Sequence, residues 1–157
     1  MKKVLISVLL LCLLFACVGC GQTAAPQTAD ISLPDVMQKI RAEVELPEML
    51  DLTAENLPDY FGIDMQELSD FAVCVNANGY EKEEVVLLRA ASEADVQPIC
   101  DALNTSLQNA AAEMQNYLPE QYALVQSSTV QTDGLYITLF ISENSTQIRE
   151  IWEGFLS

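Results

Sequence analysis

A chain of 157 residues with 7 Lys+Arg, 23 Asp+Glu and no histidine carries a formal charge of −16, and its length suits one modest domain and not two. So acidic a chain has no basic face with which to neutralise phosphates, which excludes nucleic acid as a partner. Without histidine there is no Ser-His or Cys-His nucleophile pair, no imidazole base and no zinc site with a His ligand, since each needs a group titrating near neutrality or a neutral nitrogen donor.

The first element reads as a sorting signal. Met1-Lys2-Lys3 is a short positive segment, and Val4 to Ala16 is a 13-residue run interrupted only by Ser7 and Cys12. A spanning helix needs about 20 apolar residues, so the run is read as the core of a signal peptide. Leu13-Leu14-Phe15-Ala16-Cys17 places aliphatic and small residues directly before a cysteine, and Cys17-Val18-Gly19-Cys20 offers a second such site. This resembles a bacterial lipobox, whose cysteine is diacylated and becomes the first residue of the mature protein. Two acyl chains anchor stably where one is marginal.

Cys17 is the expected lipidation site and Cys20 the alternative. Cys17 has Leu14 at the aliphatic position but the bulky Phe15; Cys20 has Val18-Gly19 but Cys17 where leucine is expected. The bland counterpart is an ordinary cleaved signal, or an uncleaved anchor, with incidental cysteines. The same four residues spell C-x-x-C, but a redox motif belongs at the start of a helix after a strand, and that reading is discarded. The expected organisation is a signal peptide over 1–16 (1–19 if Cys20 is used), a lipidated cysteine and flexible tether over 17–30, and a single α+β domain over 31–157. Gly21 to Asp30 contains no large apolar residue to bury.

Within the domain, Ser32 to Leu46 reads as a helix, with Ser32 and Asp35 at capping-box spacing, Leu33, Val36, Met37, Ile40 and Val44 on one side, and Pro47 as its stop. A short or broken helical piece follows Thr53 and ends before Gly62. Asp64-Met65-Gln66-Glu67 repeats the cap spacing. Phe71 to Val75 and Val85 to Leu88 form a hairpin around Asn78-Gly79, with a loop longer than two residues. The clearest helix begins near Asp95 and carries Val96, Ile99, Cys100, Leu103, Leu107, Ala110, Met114 and Tyr117 on one stripe, with Pro119 after its end. Tyr122 to Gln131 and Leu135 to Ile141 are read as strands joined by a type I′ turn at Asp133-Gly134. The last helix starts at Asn144, with Gln147 in capping-box position and Ile148, Ile151, Trp152 and Phe155 turned inward. The expected fold is α+β: N-terminal helical pieces, then β-β-α-β-β-α, with a four-stranded antiparallel sheet covered by helices on one face.

Leu46-Pro47-Glu48-Met49, Tyr60-Phe61-Gly62-Ile63-Asp64, Tyr117-Leu118-Pro119-Glu120-Gln121-Tyr122 and Asp133-Gly134-Leu135-Tyr136 follow one another in this order behind the lipobox. Together they resemble the bacterial lipoprotein family of domain of unknown function 4358, over about residues 33–156. The resemblance implies a Gram-positive-type envelope lipoprotein with a small α+β domain. It brings no activity, ligand or catalytic residue to carry over.

Candidate chemistry is sparse. Residues 43–70 hold nine acids, Glu43, Glu45, Glu48, Asp51, Glu55, Asp59, Asp64, Glu67 and Asp70, with no Lys or Arg between them. Such a run can hold Ca²⁺ or raise one carboxylate's pKa for acid-base work, but it reads more simply as a solvated face with Asp64 and Glu67 acting as helix caps. Around Asn76-Ala77-Asn78-Gly79 the EF-hand register would need ligands at Cys74 and Val85, which excludes that motif and leaves no expected metal site. Cys74 and Cys100 are the only thiols of the domain; they are read as small core residues, with a disulfide between them as the alternative outside the cytoplasm. Tyr117 and Tyr122 either bury the corner around Leu118-Pro119 or expose a binding edge; the corner is favoured.

Two function classes follow. The favoured one is a lipid-anchored lipoprotein on the extracytoplasmic face of the cell membrane. It acts without a cofactor as a non-enzymatic module that binds an envelope protein, peptide or cationic ligand. The alternative is an envelope enzyme using carboxylates only, for example in glycan hydrolysis.

Overall fold

The structure, a computed structural model, describes residues 30–157. The signal segment, Cys17 and Cys20 lie outside the described residues. In chain order the elements are α1 (Leu33–Glu43), β1 (Met49–Asp51), α2 (Leu57–Phe61), a 3-10 turn (Met65–Glu67), β2 (Leu68–Asn76), β3 (Glu84–Ala90), α3 (Glu93–Met114), α4 (Pro119–Ser127), β4 (Gln131–Asp133), β5 (Tyr136–Ile141) and α5 (Ser145–Leu156).

The strands form one sheet in the order β1-β2-β3-β5-β4, antiparallel throughout. The α+β class and antiparallel pairing are as expected, but the sheet has five strands and not four. The added strand is β1, which pairs Met49 with Asn76 and Asp51 with Cys74. Three residues leave no alternation for a sequence pattern to detect.

The helices lie on both faces, contrary to the expected single covered face. The central strands demand this: every residue of β5 is buried, as is all of β3 except Arg89, so neither side of these strands tolerates water. On one face Val73, Val75, Val86, Leu88, Ile137, Leu139 and Ile141 pack against Ile99, Cys100 and Leu103 of α3 and Val125 of α4. On the other, Cys74, Val85, Leu87, Tyr136 and Phe140 pack against Leu33, Val36, Met37 and Ile40 of α1 and Ile148, Ile151 and Trp152 of α5. These are termed the long-helix face and the terminal-helix face.

The segment expected as a strand over Tyr122 to Gln131 is mostly helix. Pro119 takes the first turn of α4, where its fixed φ suits a helix and its missing N–H costs nothing, and the strand waits until Gln131. The β4–β5 link is also corrected: Asp133 pairs with Tyr136, leaving Gly134-Leu135 as the loop, and only Gly134 has a positive φ, of 63°. Glycine at the first loop position fits a type II′ turn; type I′ would need two positive φ angles.

Neither expected capping box forms. Ser32 and Asn144 occupy N-cap positions without a side-chain cap bond. Asn144 Nδ2 instead donates to the Glu45 carbonyl at 2.9 Å and Gln147 Nε2 to the Glu43 carbonyl at 2.8 Å, so the start of α5 satisfies carbonyls at the end of α1. Asp64 does cap, accepting from the Gln66 amide at 2.9 Å. Helix α3 starts at Glu93, two residues earlier than expected, which puts Pro98 inside it and leaves the Ala94 carbonyl without an intrahelical donor.

The chain enters the domain at a fixed point. The Asp30 carboxylate pairs with Arg89, whose guanidinium lies 5.5 Å from the Tyr136 ring centroid. The Ile31 amide donates to the Tyr136 hydroxyl at 2.9 Å, and the Leu33 amide to Asp70 Oδ2 at 3.3 Å.

Candidate functional site

Strand β3 and helix α3 build the site between them. Ala91 and Ser92 turn the chain, so α3 runs back across the long-helix face. Its 22 residues span about 33 Å, against about 23 Å for the seven of β3. The C-terminal half of α3 therefore overhangs the start of β3, and α2 packs beside it.

The overhang encloses an open cleft of about 640 Å³, within the range of small-molecule sites. Asp59, Tyr60 and Phe61 line it from α2 and Gly62 from just past its end, Lys82 from the β2–β3 loop, and Ala102, Thr105, Ser106, Asn109, Ala110 and Glu113 from α3. The α3 residues recur at three-and-four spacing and so share one side of the helix. The small side chains of Ala102, Thr105, Ser106 and Ala110 leave the space open. Gly62 ends α2 with a φ of 72°, its amide donating to the Pro58 carbonyl at 2.7 Å, which turns the chain sharply under the cleft.

Behind the lining lies a buried acid. Tyr60 Oη donates to Glu84 Oε1 at 2.8 Å. Glu84 is 4% exposed and sits opposite Val75 and Ile141 in the sheet register. Burial pushes its carboxyl above the ordinary range, while the Tyr60 hydrogen bond and the Lys82 charge pull it back. Burial, and then the charge of Glu84, push the Tyr60 phenol up as well, so the hydroxyl keeps its proton and donates. The Tyr60 ring meets Phe61 edge-on, with centroids 4.7 Å apart and planes at 62°. At the mouth, Lys82 Nζ lies 3.9 Å from Glu113 Oε2, and the Lys82 amide donates to Gln121 Oε1 at 2.8 Å. A mixed set of hydroxyl, amide, ammonium and carboxylate groups beside the Tyr60 ring is equipped to hold a polar molecule.

The residues singled out from sequence are not brought together here. Cys74 and Cys100 are free and buried, Cys74 on the terminal-helix face with its Sγ 3.7 Å from Met37 Sδ, Cys100 on α3 against the long-helix face. The sheet separates them and no disulfide joins them; the core reading describes both. Burial pushes both thiols up. The nine acids of residues 43–70 disperse: Asp51 pairs with Arg41, Asp59 lines the cleft, and Asp70 accepts from the α1 start. Among the described residues no three His, Cys, Asp or Glu side chains converge on a metal site, and no helix is long and apolar enough to cross a membrane. Tyr122 packs against the core, but Tyr117 is 83% exposed, so only one of the pair buries the corner.

Tyr60, Lys82, Glu84, Thr105, Asn109 and Glu113 were missed as site residues. For Glu84 a signal existed: two-residue periodicity puts it on the same face as Val86 and Leu88, a carboxylate aimed into a core.

The family model described as Domain of unknown function (DUF4358) matches residues 42–142. The chain belongs to this family. The DUF4358 match runs from the end of α1 through β5 and takes in all five strands and the cleft; it is narrower than the 33–156 expected, leaving out most of α1 and all of α5. No curated protein and no solved structure matches the chain.

Proposed function

We propose that this DUF4358 chain is a bacterial lipoprotein, lipidated at Cys17 or alternatively Cys20. It is held on the extracytoplasmic face of the cell membrane, where its domain acts as a non-enzymatic binding module of the envelope. The observation that carries the reading is the sequence Leu13-Leu14-Phe15-Ala16-Cys17 directly at the end of a 13-residue apolar run. The open, polar cleft under α3 supports a binding role. Over the surface outside the cleft, the excess of acids supports partners that are cationic or peptide-like, and it repels the domain from an anionic bilayer, so that lipid and not protein surface would hold it there.

The enzymatic alternative needs two acids facing one substrate. Asp59 and Glu113 both line the cleft, but Glu113 lies beside Lys82, and the acid with the raised pKa, Glu84, stands behind Tyr60 outside the lining. Single alanine substitutions at Asp59 and Glu113 separate the classes: an enzyme loses its turnover, whereas a binding face loses little per charge.

The test is metabolic labelling of the full chain with a fatty acid, followed by mass analysis of the mature N-terminus. The expected result is an acylated cysteine as first residue, with label lost when both Cys17 and Cys20 become serine. A soluble, unlabelled protein overturns the reading.

A further inference from the structure

We infer that the cleft beneath α3 is a saccharide site, taking a short hydroxyl-rich oligosaccharide with a sugar ring against Tyr60; this rests on the binding-module reading above. A sugar presents an apolar C–H face and a rim of hydroxyls that both donate and accept. Its site therefore needs an aromatic surface, held still, inside a ring of mixed donors and acceptors.

The cleft supplies both. Tyr60 is 40% exposed, yet its hydroxyl is tied to Glu84 at 2.8 Å and its ring is packed against Phe61 in a T-shaped pair with centroids 4.7 Å apart. The aromatic surface is thus fixed before any ligand arrives, which lowers the ordering cost of binding. The facing side of α3 offers neutral groups. Thr105 donates its hydroxyl hydrogen to the Asp101 carbonyl at 2.8 Å, leaving its oxygen to accept, and Asn109 brings an amide that does both. Asp59 adds a carboxylate of the kind that takes two adjacent hydroxyls.

The charge pattern argues against the other ligand classes. Lys82 sits 3.9 Å from Glu113, so one positive and one negative charge at the mouth offset each other. An anion would meet Asp59 as well, and a multivalent cation would meet Lys82. An apolar ligand would strand the hydroxyls and the amide without partners. A neutral polar ligand fits this lining best.

The experiment is saturation-transfer NMR on the full chain in detergent micelles, with cellotetraose and the tetramer of N-acetylglucosamine as saccharide probes and a trilysine peptide as the cationic arm. At least one tetrasaccharide is expected to receive saturation on its ring C–H protons, with affinity little changed by salt. Tyr60→Ala is expected to weaken that binding about tenfold, the size an aromatic contact carries. Because Tyr60 also supports Glu84, a second variant is needed. Asn109→Phe fills the cleft from an exposed helical position, where Phe and Asn have similar helix propensity; it is expected to abolish binding with helical content unchanged. Tyr117→Ala, outside the cleft, is expected to leave binding within about twofold. Absence of transfer to both tetrasaccharides, or transfer that Asn109→Phe does not remove, overturns the assignment, as does salt-sensitive binding of trilysine alone. Cleavage of a tetrasaccharide during the titration supports the saccharide class while overturning the non-enzymatic reading, so the two failures are distinct.

Discussion

The Tyr60 hydroxyl and the Glu84 carboxylate, 2.8 Å apart, join the cleft to the core of the sheet. Glu84 stands where the register of β3 demands an apolar residue, and Tyr60 is the hydrogen-bond donor that makes a carboxyl tolerable there. The pair fixes the ring that faces the cleft.

Glu84 should give stability a pH dependence of known sign. Its folded pKa is raised, so the folded chain keeps a proton over a range where the unfolded chain, near 4.5, has released it. Stability therefore falls as pH rises from about that value toward the folded pKa and levels off beyond it. Glu84→Gln keeps an acceptor for Tyr60 and removes the charge. It should be more stable than the parent at neutral pH, with the gap closing by pH near 4.5. Urea melts of the two proteins across pH check this; parallel curves would refute it.

Trp152 anchors the terminal-helix face. It is 1% exposed, its Nε1 donates to Asp133 Oδ2 at 3.0 Å, and its ring meets Tyr136 edge-on at 5.5 Å. Trp152→Ala should cost about 3–5 kcal/mol through the cavity it leaves, a large share of the stability of a domain this size. Denaturation followed by far-ultraviolet circular dichroism reads the loss.

Two glycines should respond in opposite directions. Gly134 has a φ of 63° and open space where a methyl group would stand, so Gly134→Ala meets only backbone strain, about 1 kcal/mol. Gly154 lies in α5, also with open space and without a positive φ. Gly154→Ala should stabilise by about 0.5–1 kcal/mol. Thermal melts of both variants against the parent give the comparison.

Cys74 and Cys100 should be slow thiols. Both are buried and both are pushed up in pKa by that burial, so little reactive thiolate is present at neutral pH. Peptide mapping after alkylation should find both unmodified in the folded chain and both labelled in urea without reductant. A disulfide-linked peptide pair would contradict the separation across the sheet.

The long elements were legible because their residues repeat with the right period. Ile99, Cys100, Leu103, Ala110 and Met114 mark α3 at three-and-four spacing, and all are buried; Val85 to Leu88 mark β3. What escaped was short or set by tertiary contact. Strand β1 has three residues, too few for periodicity. Tyr122 to Gln131 is rich in residues that suit a strand, yet Pro119 starts a helix that carries through Ser127. Covering of both faces was implicit in the unbroken apolar run of β3, which leaves no side for water. The cleft was invisible because it joins Tyr60, Lys82 and Glu113, distant in sequence and brought near only by the return of α3 across the sheet.

Asp30 and Ile31 are fastened at Arg89 and Tyr136, whereas Glu84 and Ile141 mark the opposite ends of the same two strands. About five residues of strand, roughly 16 Å, lie between, and the entry point and the cleft also occupy opposite faces. The domain is thus built like a cup with its stem at one corner and its mouth at the diagonal one. Any load drawn through residue 30 meets the ion pair and the Tyr136 bond first, at the corner farthest from the cleft.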